Sequence, residues 1–276
     1  MRAQELASRL GLSELTPVGG GSINQAWRAI DENGQTVFLK THSSPPTGFF
    51  AAEAKGLQAL EKAGATVPTV LQQEEDLLLL RWIDSAPPQQ QSMADLGRML
   101  AHLHENRGPA FGFDSDNYCG TSLQCNRRMQ DGHAFFAENR LLPQGQMALQ
   151  SGLLEKADLT ALERLCQRLP ELIPEQPSSL IHCDLWSGNV LFDTAGEPVL
   201  IDPAASWCWA EADLAMTRLF GGFDPSFYRA YEAVRPLTPG FEQRVPLYNL
   251  YHLLNHLNLF GGGYRASVVR ILQPFR

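Results

Sequence analysis

Two short apolar runs each end at polar residues able to do chemistry. Leu180-Ile181 leads into His182-Cys183-Asp184-Leu185-Trp186-Ser187-Gly188-Asn189, and Val199-Leu200-Ile201 leads into Asp202, thirteen residues after Asn189. Two carboxylates and an amide on loops fed by strands meet the needs of phosphoryl transfer. One carboxylate orients the attacking hydroxyl and accepts its proton, while further oxygen donors hold magnesium against the phosphates. Asp184 takes the role of base, and Asn189 and Asp202 those of metal ligands. Singly, each is an ordinary turn, cap or strand-end residue. The joint spacing is what discriminates: the step from Asp184 to Asn189 is that of the kinase catalytic loop, and Asp202 stands at the place of the metal-binding Asp of that class.

Three upstream features fit the same chemistry. Gly19-Gly20-Gly21-Ser22-Ile23-Asn24 lies between strand-like segments, where the backbone amides of Gly20, Gly21 and Ser22 could close over phosphates; without a GK[ST] ending it is no Walker A loop. Lys40 ends the run Thr36-Val37-Phe38-Leu39-Lys40 and Glu53 lies on the next helix pattern, so Lys40 reads as a phosphate ligand that Glu53 orients. The apolar Leu77 to Leu80 runs into Arg81-Trp82-Ile83, the expected hinge and adenine wall. The unremarkable alternative for Lys40 and Glu53 is a pair of solvated surface charges, and for the glycines an ordinary hairpin.

The elements that must position these residues change character once along the chain. Up to about Ile83 the pattern is β-rich, with strand-like alternation over Leu15 to Trp27, Thr36 to Lys40 and Leu77 to Ile83, a short helix at Glu5 to Leu10 and a longer one over Phe49 to Ala63. Ser85-Ala86-Pro87-Pro88-Gln89-Gln90-Gln91 breaks the pattern, and Ser92 precedes a helical run through Leu96, Met99, Leu100 and Leu103. Helices then dominate, interrupted by Leu180 to Ile181, Val190 to Phe192 and Val199 to Ile201. The expectation is an α+β, bilobal protein-kinase-like fold: residues 1–84 a β-rich nucleotide-binding lobe, residues 85–276 a mainly helical catalytic and substrate lobe.

Composition narrows the partners. A net charge of −8 disfavours nonspecific attraction to nucleic acid or an anionic membrane and suits a neutral or cationic substrate. No segment approaches the apolar length of a membrane span, and the first residues lack a secretory pattern, so a cytoplasmic protein is expected, a monomer or homodimer. Five cysteines at irregular spacing read as reduced thiols. His252 and His256 have metal-ligand spacing, but their apolar neighbours favour a packed helix; of His102 and His104, one is expected to satisfy a buried polar contact, and His182 to support its loop.

Beyond the generic motif, Gly20-Gly21-Ser22-Ile23-Asn24, Asp184-Leu185-Trp186-Ser187-Gly188-Asn189, Glu211-Ala212-Asp213-Leu214-Ala215-Met216 and Leu250-Tyr251-His252-Leu253-Leu254-Asn255-His256 give the chain a specific likeness. It resembles the fructosamine kinase (ketosamine-3-kinase) family of the protein-kinase-like, aminoglycoside phosphotransferase-like superfamily. The resemblance implies ATP and Mg2+ as cofactors and transfer of the γ-phosphoryl group to the 3-hydroxyl of a ketoamine, small or protein-bound. The product then sheds its sugar, a deglycation. Trp186 becomes a candidate sugar platform, and Glu211 or Asp213 could attract an amine, although a structural role such as helix capping suits both better. Cys183 departs from the family's usual glycine, and Ser22 stands where many relatives carry cysteine. A thiol nucleophile at Cys183 is disfavoured, because adjacent residues rarely share a catalytic geometry. The alternatives are a kinase of the same fold acting on choline, an aminoglycoside or another alcohol, and a catalytically silent binding module.

Overall fold

The computed structural model describes residues 2–19 and 24–276. Helix α1 (Arg2–Arg9) leads into strands β1 (Ser13–Val18), β2 (Gln25–Ile30) and β3 (Thr36–Thr41), then α2 (Phe49–Lys62), β4 (Val70–Gln73) and β5 (Leu77–Arg81). The five strands form one antiparallel sheet in the order β1-β2-β3-β5-β4. The side-chain alternation of strands decides what each face covers. Val37, Leu39, Leu77 and Leu79 pack against Leu6, Ala7 and Leu12, whereas Leu78 and Leu80 join Phe50, Leu57 and Leu60 of α2. Lys40, opposite Leu78, shares the α2 side. Strand β4 carries no signal in the sequence, because Val70-Leu71-Gln72-Gln73 is mostly exposed and shows no apolar alternation.

Residues 82–91 hold no helix or strand beyond a single bridge from Ser85 to Asp193, and the architecture then becomes helical. In order come α3 (Ser92–Glu105), the hairpin β6 (Asn117–Cys119) and β7 (Ser122–Gln124), α4 (Gly132–Phe136), a π-helical turn over Ala137–Leu141, α5 (Leu142–Gln150) and α6 (Lys156–Leu172). Next are β8 (Ser179–Ile181), β9 (Val190–Phe192), β10 (Pro198–Leu200) and β11 (Ser206–Cys208), and last α7 (Ala210–Met216), α8 (Pro225–Val234), α9 (Phe241–Phe260) and α10 (Arg265–Leu272). The three apolar runs of the sequence are thus β8, β9 and β10. β8 pairs with β11 and β9 with β10, so two small ribbons carry the loops of interest.

One apolar cluster joins α2 and the sheet to α3, β8, α7 and α8 through Leu96, Leu100, Leu180, Leu214 and Phe227; a second lies among α4, α6, α7 and α9 around Phe135, Leu165, Trp209 and Leu254. The close approach of α3 to α8 depends on Gly97, where a Cβ would come within 2.2 Å of the Phe227 carbonyl oxygen. Ser92 is the first residue of α3 rather than its cap. Its Oγ accepts from the Gln89 amide and donates to the Gly196 carbonyl at 2.6 Å, tying the start of α3 to the β9–β10 turn.

Candidate active site

The loop after β8 is built around a buried carboxylate that is not part of it. Asp213, on α7, accepts the backbone N–H of His182 at 2.6 Å and that of Cys183 at 2.7 Å. His104 of α3 donates from Nε2 to the same carboxylate at 3.2 Å, while its Nδ1 receives the Tyr231 hydroxyl at 2.8 Å. That arrangement needs a neutral imidazole, and burial does hold His104 below its ordinary value. Burial alone would raise Asp213, but the bond from His104 and the N–H donors keep its carboxyl below the usual range. His182 completes the support: Nε2 donates to the Ile201 carbonyl at 2.9 Å and Nδ1 accepts the Asp184 N–H at 3.3 Å, which joins the two loops.

Cys183 has φ +66°, a left-handed conformation that favours glycine, and this explains why glycine is the residue expected there. The bend lets two successive N–H groups reach Asp213, and the thiol is buried against Gln124. Burial pushes that thiol up to about 12, so it is no nucleophile.

On the other side of the loop stand the residues expected to do chemistry. Asn189 ends a short 3-10 turn and donates from Nδ2 to the Asp184 carbonyl at 2.8 Å and to its Oδ2 at 3.2 Å. Its Oδ1 takes no hydrogen bond among the described residues. Asp184 is half-buried, and burial, then the charge of Asp202, pushes its carboxyl up to about 7. Asp202 has φ +55°, a region Asp tolerates better than most residues, and its side chain is 44% exposed. Lys40 Nζ lies 2.8 Å from both Glu53 Oε1 and Asp202 Oδ1. Burial works against that ammonium, but the two carboxylates hold it above its ordinary value and so charged. Lys40, Glu53 and Asp202 thus form one bonded set, Asp184 and Asn189 another, and the Ile201 N–H donating to the Asn189 carbonyl at 3.1 Å holds the two loops side by side.

Trp186 is 38% exposed, its indole lying over Gly188 where any Cβ would collide with it. It meets Phe220 edge to face at 6.2 Å, and Phe220 stacks on His256 at 5.0 Å. Phe220 carries no sequence signal, since it lies in a connecting segment far along the chain. Glu211 is unavailable to an amine: it accepts Arg244 Nε and Nη2, each at 2.7 Å, and the Tyr248 hydroxyl at 2.9 Å, and the cap position of α7 is Trp209. His102 pairs with Glu105 at the surface, so of the two histidines His104 meets the buried contact.

At the expected hinge, Trp82 packs near Phe38 and bonds Asp84, and Arg81 bonds Gln35. The amides of Arg81 and Trp82 are taken by Thr69 and Thr36, whereas the backbone N–H and C=O of Ile83 take no partner among the described residues. The expected phosphate loop at Gly20, Gly21 and Ser22 lies outside the described residues.

The fructosamine kinase family model matches residues 2–275. An Enterococcus faecium protein named "Probable ketoamine kinase" is 39% identical over 282 residues, covering 100% of both chains. The chloroplastic protein-ribulosamine 3-kinase of Arabidopsis thaliana is 36% identical, covering 96% of this chain and 83% of its own. A crystal structure of a fructosamine-3-kinase candidate from Thermobifida fusca superposes with TM-score 0.90 at 32% identity, covering 98% of this chain and 97% of that one. More distant likenesses, such as a macrolide phosphotransferase (TM-score 0.67, 15% identity) and an ADP-bound aminoglycoside phosphotransferase (0.61, 14%), show the fold alone.

Proposed function

This chain belongs to the fructosamine kinase family, and from that premise we propose that it transfers the γ-phosphoryl group of ATP to the 3-hydroxyl of a ketosamine, a fructosamine or ribulosamine on a small amine or a protein lysine. The observation that carries the proposal is the arrangement itself. Lys40 bonds Asp202, Asn189 bonds Asp184, and the Ile201 N–H donates to the Asn189 carbonyl at 3.1 Å, so the expected phosphate, metal and base positions stand side by side.

Asp184 is the general base. Half-buried, and with a carboxyl near 7, it is matched to accepting a proton from a sugar hydroxyl at neutral pH, and Asn189 fixes the carboxylate's orientation. Lys40, held by Glu53, binds phosphate oxygens. The donor set fits magnesium: Asn189 Oδ1 has no partner among the described residues and Asp202 is partly exposed, both hard oxygen ligands. Bound there, Mg2+ would neutralise charge on the transferring phosphoryl group. The backbone of Ile83, unpartnered among the described residues, with Arg81 and Trp82 beside it, would face adenine, and Gly20, Gly21 and Ser22 would cover the phosphates. Trp186 offers the sugar an aromatic platform. Residues 1–84 form the nucleotide-binding lobe in this reading and residues 85–276 the catalytic lobe. No helix of the described residues is long and apolar enough to cross a membrane, and the five cysteines are free, in keeping with a cytoplasmic setting for a monomer or homodimer.

The test is magnesium-dependent ADP release with ribulosyl-lysine, fructosyl-lysine and choline as acceptors. Stimulation by a ketoamine and not by choline is expected; turnover of choline alone, or of no acceptor, would overturn the proposal.

A further inference from the structure

The wall facing Asp184 holds softer ligands than kinase chemistry uses. One ligand atom each from Cys119, Asp184 and His252 all lie within 4.8 Å of one another. The three come from β6, the loop after β8, and α9. Cys119 and His252 are 2% and 3% exposed. His252 Nδ1 is buried without a hydrogen-bond partner among the described residues, although burying such a group unpaired is costly. The frame around the three is built. Asn255 Nδ2 donates to the Cys119 carbonyl at 3.1 Å and so fixes β6 against α9. Gln124, paired with Asn117 across the β6–β7 hairpin, donates to the Ala204 carbonyl at 2.9 Å and accepts the Tyr251 hydroxyl at 2.7 Å.

We propose that Cys119, Asp184 and His252 form a zinc(II) site that closes the catalytic base. Zinc takes thiolate, imidazole and carboxylate ligands at about 2.0–2.3 Å in a tetrahedron, which puts ligand atoms about 3.6 Å apart. The three side chains therefore need to draw in by roughly an ångström, and water supplies the fourth position. Thiolate and imidazole select zinc over magnesium, whose hard-oxygen positions at Asn189 and Asp202 are separate. On binding, the Cys119 S–H bond is replaced by a sulfur–zinc bond and its proton leaves to solvent. Thiolate and carboxylate together balance the charge of the ion. The lone pairs of Asp184 that would accept the substrate proton are then held by metal, and phosphoryl transfer stops. Zinc is thus an inhibitor whose site is part protein frame and part catalytic base. The inhibitory consequence rests on the role proposed for Asp184; the site itself does not.

The experiment is titration of the full-length, reduced protein with cobalt(II), without nucleotide, followed by absorption. Wild type is expected to bind one cobalt with a thiolate-to-metal charge-transfer band in the near ultraviolet, displaced by zinc. Cys119→Ser should lose the band, and His252→Ala should weaken binding at least about tenfold. Melting curves confirm that each variant is folded; if Cys119→Ser is not, Asp184→Asn, expected to weaken cobalt binding as His252→Ala does, takes its place in the titration, and His252→Ala takes its place in the inhibition assay. In parallel, zinc should inhibit wild-type ADP release at concentrations at least about tenfold below those that affect Cys119→Ser. A wild type without the charge-transfer band, a band unchanged in Cys119→Ser, or equal zinc sensitivity of both proteins overturns the proposal. Cobalt binding through Cys119 in a protein that turns over no ketoamine would leave the metal site standing and remove only the kinase reading.

Discussion

The two sides of the loop at Cys183-Asp184 obey opposite rules. Behind it, Asp213, His104, His182 and Tyr231 are at most 1% exposed, and each has its polar atoms spent on another or on the loop backbone. In front, Asp202 and Trp186 are open, and Asn189 Oδ1, His252 Nδ1, Asn255 Oδ1 and His256 Nδ1 have no partner among the described residues. A satisfied network is rigid, whereas an unsatisfied one awaits a ligand. The back therefore holds a strained loop in place, and the front is left incomplete for phosphates, metal and a hydroxylated acceptor to finish.

The comparison breaks most readily at Asp213. Asp213→Ala strands two buried N–H groups and the His104 imidazole, each loss costing about 1–3 kcal/mol, so a fall of about 4 kcal/mol in unfolding free energy is expected from urea denaturation. A loss below about 1 kcal/mol, within the range of ordinary surface substitutions or little more, would mean the back does not hold the loop. The front should behave in the opposite sense. Asp184→Ala is expected to lower turnover at least about 10²-fold while leaving the melting temperature unchanged or higher, since it removes a half-buried carboxyl that no cation among the described residues pairs with directly.

The pH dependence of stability sharpens the same contrast. Burial lowers His104 and His182 behind the loop, and His252 in front of it to about 3. A histidine whose folded value lies below its unfolded value near 6.5 binds fewer protons when folded, so stability is full above that pH and falls as the pH drops below it, by about 1.4 kcal/mol per pH unit for each group. Asp184 has the opposite sign. Its folded value of about 7 exceeds the unfolded one, so the folded state takes up the proton and gains stability as pH falls from about 7 toward 4. Asp213, lowered, adds its loss only below the ordinary carboxylate range. In chelator and without nucleotide, Asp184→Ala should therefore lose stability more steeply than wild type between pH 6.5 and 5, by up to about 1.4 kcal/mol per pH unit. Parallel profiles from urea midpoints would show that Asp184 is an ordinary exposed carboxylate.

How much of this is legible in the sequence differs by region for the same physical reason. Asp184, Asn189 and Asp202 can be read because loops fed by adjoining strands fix their spacing along the chain, and Lys40 and Glu53 because a strand and the next helix do so. The longer apolar helix, at Phe49–Lys62, and the three short strands are equally readable from period. Asp213, His104 and Tyr231 meet only through the packing of α3, α7 and α8, and no local pattern announces a carboxylate that serves another segment's backbone. Ser92 misleads for a related reason: a serine at a helix start reads as a cap, but its hydroxyl is claimed by Gly196, more than a hundred residues away.

Cys183 gives the finest test, because it sits where the two sides meet. Alanine normally exceeds glycine in stability by about 0.5–1 kcal/mol, since glycine has more backbone freedom to lose on folding. At φ +66° the order should change. A side chain in the left-handed region costs about 1–2 kcal/mol that glycine avoids. Cys183→Ala keeps that strain while losing the sulfur's contact with Gln124. Cys183→Gly loses the contact as well, but releases the strain and leaves both N–H groups free to reach Asp213. Glycine should therefore equal alanine or surpass it by up to about 1 kcal/mol in urea denaturation, with turnover of the two variants within about twofold because neither touches the front. If alanine proves the more stable by its ordinary margin, the loop is not held left-handed at Cys183, and the account of how Asp213 grips two successive amides fails with it.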